Sequence, residues 1–409
     1  MSGLRSMFDA QLSLGGSRSK MHHELESLSM GRLRTSRTIY PDCLPMDESI
    51  GVVCFDELDP SLMRVGGSNG SIATGSLSRA RNEEAYYPND EQGWRTGWVL
   101  PARITSLLTC GDRMLATCLG PPAQAIVATT QENISLASVT LSPRKTSLWT
   151  SALSPDLVAL GCDKKVLTSR DPSRPSMDGY VTGSQRGDGA VFALDLTENL
   201  IFAGTRKGQV KMFDQRSSPS KEDRGGDAPE TRAETQLSIS SSVTHVRRLQ
   251  DGLLVAGMDG SLGMYDLRFP STKPYLVLEG HVNSFTSDIG LDVWRDDFVA
   301  AAGQDSRIRL WSLRTGSAIL PPTNPTSPSS TSRIFSPDPS LLLRTFSEPI
   351  KALTFAGSDS LARHRRRDDG RGRIELEREG GRKGERGPVL WVGDGPGLEC
   401  FEVAGARGS

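Results

Sequence analysis

One recurring unit constrains this chain more than any other feature in it. An apolar run ends in glycine, a tight Gly/Asp turn follows, and an alternating run closes on an aromatic. The unit reads "LIFAGTRKGQVKMFDQR" around Gly204, "LLVAGMDGSLGMYDLR" around Gly257, "FVAAAGQDSRIRLWSLR" around Gly303 and "VLWVGDGPGLECFEV" around Gly393. In the last three the aromatic follows eight residues after the glycine, at Tyr265, Trp311 and Phe401; in the first, an extra residue puts Phe213 at nine. Weaker copies lie around Gly161, Cys118 and Gly67. Most anchors are 43 to 53 residues apart, the period of a four-stranded blade of roughly 40–45 residues plus loop insertions. Two alternating runs joined by a tight turn are adjacent antiparallel strands.

A further strand-like run precedes each unit ("ARITSLLTC", "SLWTSALS", "AVFALDL", "SVTHVRRL", "SFTSDIGLDV", "IKALTFAG"), and a fourth follows in several, such as "KPYLVLE". Seven units of this kind close radially and protect their sheet edges. The expected fold is all-β, a seven-bladed propeller with disordered loop insertions.

Closure makes a demand. The seventh unit ends its third strand at Val403 and only "AGARGS" follows. A segment from about 35–45, with "SRTIYPD" the best candidate, must supply the missing strand, so 35–409 reads as the ring and 1–34 as a disordered tail. Three polar or Pro/Ser-rich stretches, 217–235, 321–340 and 357–387, read as flexible insertions. Within the last, "HRRR" could be a nuclear signal or bind acidic partners, but Asp368, Asp369, Glu375, Glu377 and Glu379 interleave with the arginines as in a solvated, self-neutralising loop.

Several classes are excluded. Net charge is -1, so no global field draws nucleic acid or an anionic membrane. No stretch reaches the ~20 apolar residues of a membrane span, and the first residues lack a signal-peptide core; the expected location is nucleus and/or cytoplasm. The six cysteines form no CxxC, and no Cys/His set has zinc spacing, so no metal site is expected. GxSxG, the P-loop and HExxH are all absent. No catalytic residue and no cofactor are assigned; chemistry in the central channel would have only Asp195 on the inner strands to draw on.

The block "EGHVN" (279–283) followed by "AAAGQDSRIRLWSLRTG" resembles a WD repeat, in which Gly-His opens a blade and Trp-Asp closes its third strand. That resemblance implies a buried polar network of His281, Asp305 and Trp311, although Ala300–Ala302 stand where its Ser or Thr would be and Trp-Ser replaces Trp-Asp. Asp259, like Asp163, Asp305 and Asp394, follows its turn glycine by one or two residues and reads as an acceptor for turn N–H groups.

Two consecutive units end in Asp-x-Arg: Asp214/Arg216 and Asp266/Arg268. Two readings of the residues stand side by side. In one, each arginine holds its own turn through its aspartate; in the other, the pair projects from one rim and grips a partner's carboxylates or carbonyls with planar forks. The motif resembles the Trp-Asp-x-Arg ending of WD-repeat substrate receptors of cullin-4 RING ubiquitin ligases, with Phe213 and Tyr265 here in place of Trp. That family implies a non-catalytic receptor whose arginines dock on the ligase's propeller adaptor while another surface recruits an unknown protein substrate, with no direct nucleic-acid or membrane contact. A generic WD-repeat scaffold in another complex is the alternative.

Overall fold

The computed structural model describes residues 20–403 apart from 46, 60, 78–93, 121, 130–138, 142–145, 171–177, 182–188, 198, 218–233, 250–251, 269–272, 322–339 and 357–387. Seven antiparallel sheets follow one another along the chain. Blades 1 to 5 have four strands each, with innermost strands Ile50–Phe55, Ile104–Cys110, Leu148–Ser154, Val191–Thr197 and Val243–Leu249. Blade 6 has three, starting at Leu291–Trp294; residues 317–319 then run beside its third strand, Ile308–Ser312, through Ser312 N–H to Ser317 O and Ile319 N–H to Leu310 O.

Blade 7 draws on both ends of the ring. Leu353–Ala356, Val389–Asp394 and Gly397–Val403 are its first three strands, and Leu33–Ile39 pairs antiparallel with the third, from Leu33 opposite Val403 to Ile39 opposite Leu398. Arg344 donates to Glu399 under this seam, a pair buried beneath Phe346 and Phe401.

The anchor glycines have a packing cause. Gly204, on the second strand of blade 4, faces the next blade; a Cβ there would lie 2.4 Å from Val243 Cγ1. Gly161 meets Val191 in the same way at 3.0 Å. The register also explains the one uneven spacing in the repeat. Val191 pairs with Thr205, whereas Val243 pairs with Gly257. The equivalent of Gly257 is therefore Thr205, which stands eight residues before Phe213; there is no insertion. The Thr205 hydroxyl does the work of closing that turn, donating to Gln209 O at 3.0 Å and accepting Gln209 N–H at 3.2 Å.

The repeat aromatics are core. Phe213, Trp311 and Phe401 are almost fully buried and Tyr265 nearly so. Each clusters with aliphatics of two neighbouring sheets, as Trp311 does with Val293, Val299 and Leu254. Burying a side chain of that size is worth about 1.5–3 kcal/mol.

The expected disordered tail needs correction over its described part. Residues 20–31 are helical and lead directly into the closing strand. His23, Met30 and Leu33 are buried, with Glu26 and Ser27 half-buried, a helical spacing that fits one face against blade 6. The flexible insertions also end sooner than expected. Ser217 closes a 3-10 turn, Glu234–Ser238 is the outer strand of blade 4, and Ser340 bridges Arg34. Backbone pairing at these margins supplies the order that their polar side chains do not. Residues 1–19, 218–233, 322–339 and 357–387 lie outside the described residues. Among the described residues no helix is long and apolar enough to cross a membrane.

Candidate functional site

The ends of the third strands share one rim of the ring with the hairpins that join first and second strands. On blade 4 the third strand, Gln209–Asp214, ends in a 3-10 turn, Gln215–Ser217. Asp214 caps that turn by accepting the Arg216 backbone N–H at 2.9 Å. The same carboxylate takes the guanidinium edge-on: Arg216 Nε donates to Oδ1 at 3.0 Å and Nη2 donates to Oδ2 at 2.7 Å. Blade 5 repeats this almost atom for atom. The third strand is Leu262–Asp266, and Arg268 gives N–H, Nε and Nη2 to Asp266 at 2.9, 3.0 and 2.8 Å.

The two readings of these arginines are thus not alternatives. Each arginine is gripped by its own aspartate, and each side chain remains about 70% exposed, 70% for Arg216 and 71% for Arg268. The fork fixes the guanidinium plane while most of the side chain stays exposed. Arg216 holds the Asp214 carboxyl down at about 2, through the side-chain bond first and the backbone bond second, and Arg268 lowers Asp266 in the same way.

A third fork, on blade 6, was not legible in the motif. Its third strand ends in Ser312, and Arg314 pairs instead with Asp297, with Nε donating to Oδ1 at 2.6 Å. Ser312 Oγ takes over the cap, accepting the N–H groups of Arg314 and Thr315. Asp297 sits in the first hairpin of the blade, where Leu313 N–H meets its carbonyl. The equivalent hairpin residue in blade 4 is Asn199, whose carbonyl receives Gln215 N–H. The carboxylate has moved from strand to hairpin, 17 residues away in sequence, and only the strand register reveals it.

The helix at 20–31 lies on the same rim. His23 Nε2 is 2.8 Å from Ser312 Oγ, its ring stacks on Phe298 with centroids 4.9 Å apart, and Glu26 faces Arg295. Met21, Leu25 and Leu28 recur at helical spacing on the outer side and are more than half exposed.

The polar network expected in blade 6 is only partly assembled. His281 bonds Ala302 O through Nε2 at 3.1 Å and sets its ring edge against Trp311. Trp311 Nε1–H goes to Glu279 O at 2.8 Å. Asp305 turns away to a two-pronged pair with Arg309, at 2.9 and 2.7 Å. A guanidinium offers a carboxylate two charge-assisted bonds where a neutral imidazole offers one, and burial keeps His281 below its usual range. Asp259 serves its own turn, accepting Ser261 N–H at 3.1 Å and the Ser240 hydroxyl at 2.8 Å.

The inner strands surround a channel of about 550 Å³. Its carboxylates act as ties between blades. Asp195 accepts Leu196 N–H at 3.0 Å and the Arg248 N–H of the next blade, while Asp292 accepts Phe355 N–H at 2.8 Å and pairs with Arg247. Burial, then the nearby His281, depress His245 to about 4, leaving its ring neutral.

Ring, turns and forked rim together define a WD-repeat β-propeller. The chain belongs to the family described as nucleolar protein 10-like, N-terminal domain, whose model matches residues 137–343. It is a WD-repeat protein similar to human DDB1- and CUL4-associated factor 4, with 27% identity over 314 residues, covering 71% of this chain and 60% of the relative. The human DDB1- and CUL4-associated factor 4-like protein 2 is 37% identical over 120 residues, 29% of this chain and 28% of its own length. WD repeat-containing protein 21 of Schizosaccharomyces pombe is 28% identical over 143 residues, 33% of this chain and 31% of its own. In three dimensions the chain is similar to the WD40 propeller domain of Doa1 (TM-score 0.56, 13% identity, 92% of this chain and 98% of that one), which supports the fold.

Proposed function

We propose that this protein is a non-catalytic substrate receptor that docks, through the forked rim of blades 4 to 6, on the propeller adaptor of a cullin-4 RING ubiquitin ligase. The observation that carries the reading is the repeated fork. Two guanidiniums on adjacent blades are held in one orientation by matching contacts, and about 70% of each side chain stays exposed, 70% for Arg216 and 71% for Arg268. A pre-oriented arginine loses little side-chain freedom on binding, and arginine is enriched among interface residues that dominate affinity. The names of the relatives supply the class of adaptor. Arg314 extends the row to a third blade, and the exposed apolar stripe Met21, Leu25 and Leu28 gives the same rim a hydrophobic component.

The role is positional. Holding the adaptor on one face and a protein substrate on another raises the effective concentration of substrate near the ligase. Co-purification of the adaptor with the full chain, wild type beside Arg216→Glu/Arg268→Glu, tests it. Loss of the adaptor from a folded variant is the expected result; undiminished recovery would sink the reading.

A further inference from the structure

Where helix 20–31 meets blade 6, three potential metal ligands converge. One donor atom each from His23, Glu26 and Asp297 lies within 4.8 Å of the others. His23 is 8% exposed, its Nε2 is engaged by Ser312 Oγ, and its Nδ1 is buried with no hydrogen-bond partner. A buried ring nitrogen left without a partner is costly. Its neighbours do not resolve it. Glu26 Oε1 is 3.5 Å from His22 Nδ1 and 3.6 Å from Arg295 Nη1, at or beyond the limit of a hydrogen bond.

We propose that His23, Glu26 and Asp297 bind one first-row divalent transition metal ion, which fastens the helix to blade 6. One imidazole nitrogen and two carboxylates suit Zn²⁺, Co²⁺ and their neighbours. For Nδ1 to ligate, Nε2 must carry the proton and donate to Ser312 Oγ, which then gives up one of the long Arg314 and Thr315 N–H contacts at 3.3 and 3.2 Å; a bonded second nitrogen of this kind orients a ligating histidine. Metal bonds of about 2.0–2.2 Å require the donors to draw closer, and the long contacts of Glu26 leave it room to do so. His22, exposed one position earlier, can reach Glu26 and supply a further donor.

Two cations oppose the ion and would have to give way, Arg295 from its stacking on Trp294 as well. Arg295 and Arg314 face Glu26 and Asp297, and their side chains are 35% and 45% exposed. The ion would replace the guanidiniums at these carboxylates and release Arg314 from Asp297. Metal occupancy would then set how freely the third rim arginine moves, although the site itself stands independently of what the rim binds. No sequence spacing announces it, because Asp297 comes from a hairpin 271 residues after Glu26.

The test uses the full chain stripped of metal, titrated calorimetrically with Zn²⁺ and followed by visible absorption with Co²⁺. One equivalent is expected, with the thermal midpoint rising on Zn²⁺ addition. Glu26→Gln and Asp297→Asn should each weaken binding at least tenfold while the metal-free variants still melt cooperatively. Arg314→Gln should tighten it, because a competitor is gone. A chain that takes up no stoichiometric ion, or one whose uptake is unaffected by Glu26→Gln and Asp297→Asn, overturns the proposal.

Discussion

The third strands of blades 4, 5 and 6 end beside a guanidinium gripped by a carboxylate; those of blades 1, 2 and 7 end in Ser76, Thr129 and Val403. The sequence puts no Asp-x-Arg at these three ends, which read Ser76-Leu77-Ser78, Thr129-Thr130-Gln131 and Val403-Ala404-Gly405, and their sheets pair four strands each. The difference separates two requirements. Closing a blade takes an apolar third strand and a register; it does not take an arginine. The fork is therefore surplus to the fold, and blade 6, which rebuilds it with Asp297 after losing the strand aspartate, keeps the guanidinium where the neighbouring blades have theirs.

Charge reversal of the two matched forks is the most severe way to break this comparison. Arg216→Glu/Arg268→Glu should reduce adaptor affinity at least about 100-fold, measured by calorimetry or by capture on immobilised adaptor. The thermal midpoint should move by no more than about 2 °C, because exposed ion pairs contribute little to stability. If the midpoint collapses, the forks belong to the fold after all. Arg314→Glu alone should cost roughly tenfold in the same assay, which decides whether blade 6 belongs with its neighbours. An unchanged affinity would restrict the site to the two matched forks.

Acid sharpens the contrast between rim and channel. Asp214 and Asp266 have folded values below their unfolded ones, so the forks are intact above about pH 4, and the Asp214 fork is lost only as pH falls through about 2. His245 behaves oppositely. Its folded value of about 4 is below the ordinary 6.5, so the folded state binds fewer protons and stability drops as pH falls from about 6.5 towards 4. Between pH 7 and 5 the thermal midpoint should fall while adaptor affinity at a temperature where the ring stays folded holds constant; His245→Gln should flatten the first curve. The smallest effect is expected from Asp214→Asn/Asp266→Asn. Affinity should drop only a fewfold, as free guanidiniums lose their fixed orientation, with an unfolding midpoint close to wild type.

Much of the ring is legible in the sequence because its signals are local. The aromatics on the third strands of blades 4 to 7, the Asp-Gly turn at Asp259–Gly260 and the alternating runs all act within a few residues. Gly260, at φ 84°, adopts a left-handed backbone that its turn requires. What stays hidden depends on register. The inner strands of blades 1 to 5 skip a partner near their start, as between Val191 and Ala193, while those of blades 6 and 7 do not. Asp297 meets Arg314 because Phe298 pairs with Ser312, a match set by the second and third strands of blade 6 together and by no local spacing. Asp305 illustrates the same limit. Its turn was readable, but its partner was decided by Arg309 on the facing strand. The helix at 20–31 escaped because its burial is split between His23, Met30 and a half-buried acid, leaving the leucines outside.

The pairing of Leu33–Ile39 with Gly397–Val403 has a consequence for synthesis. A ribosome delivers the first of these strands hundreds of residues before its partner. Throughout that interval the nascent chain carries an open ring, with the early strand unpaired and blade 7 without its outer edge. Blades 1 to 6 can form as they emerge, but the seam cannot. Any chain interrupted before Gly397 is left with a permanent free edge, the kind of surface that chaperones and degradation machinery recognise.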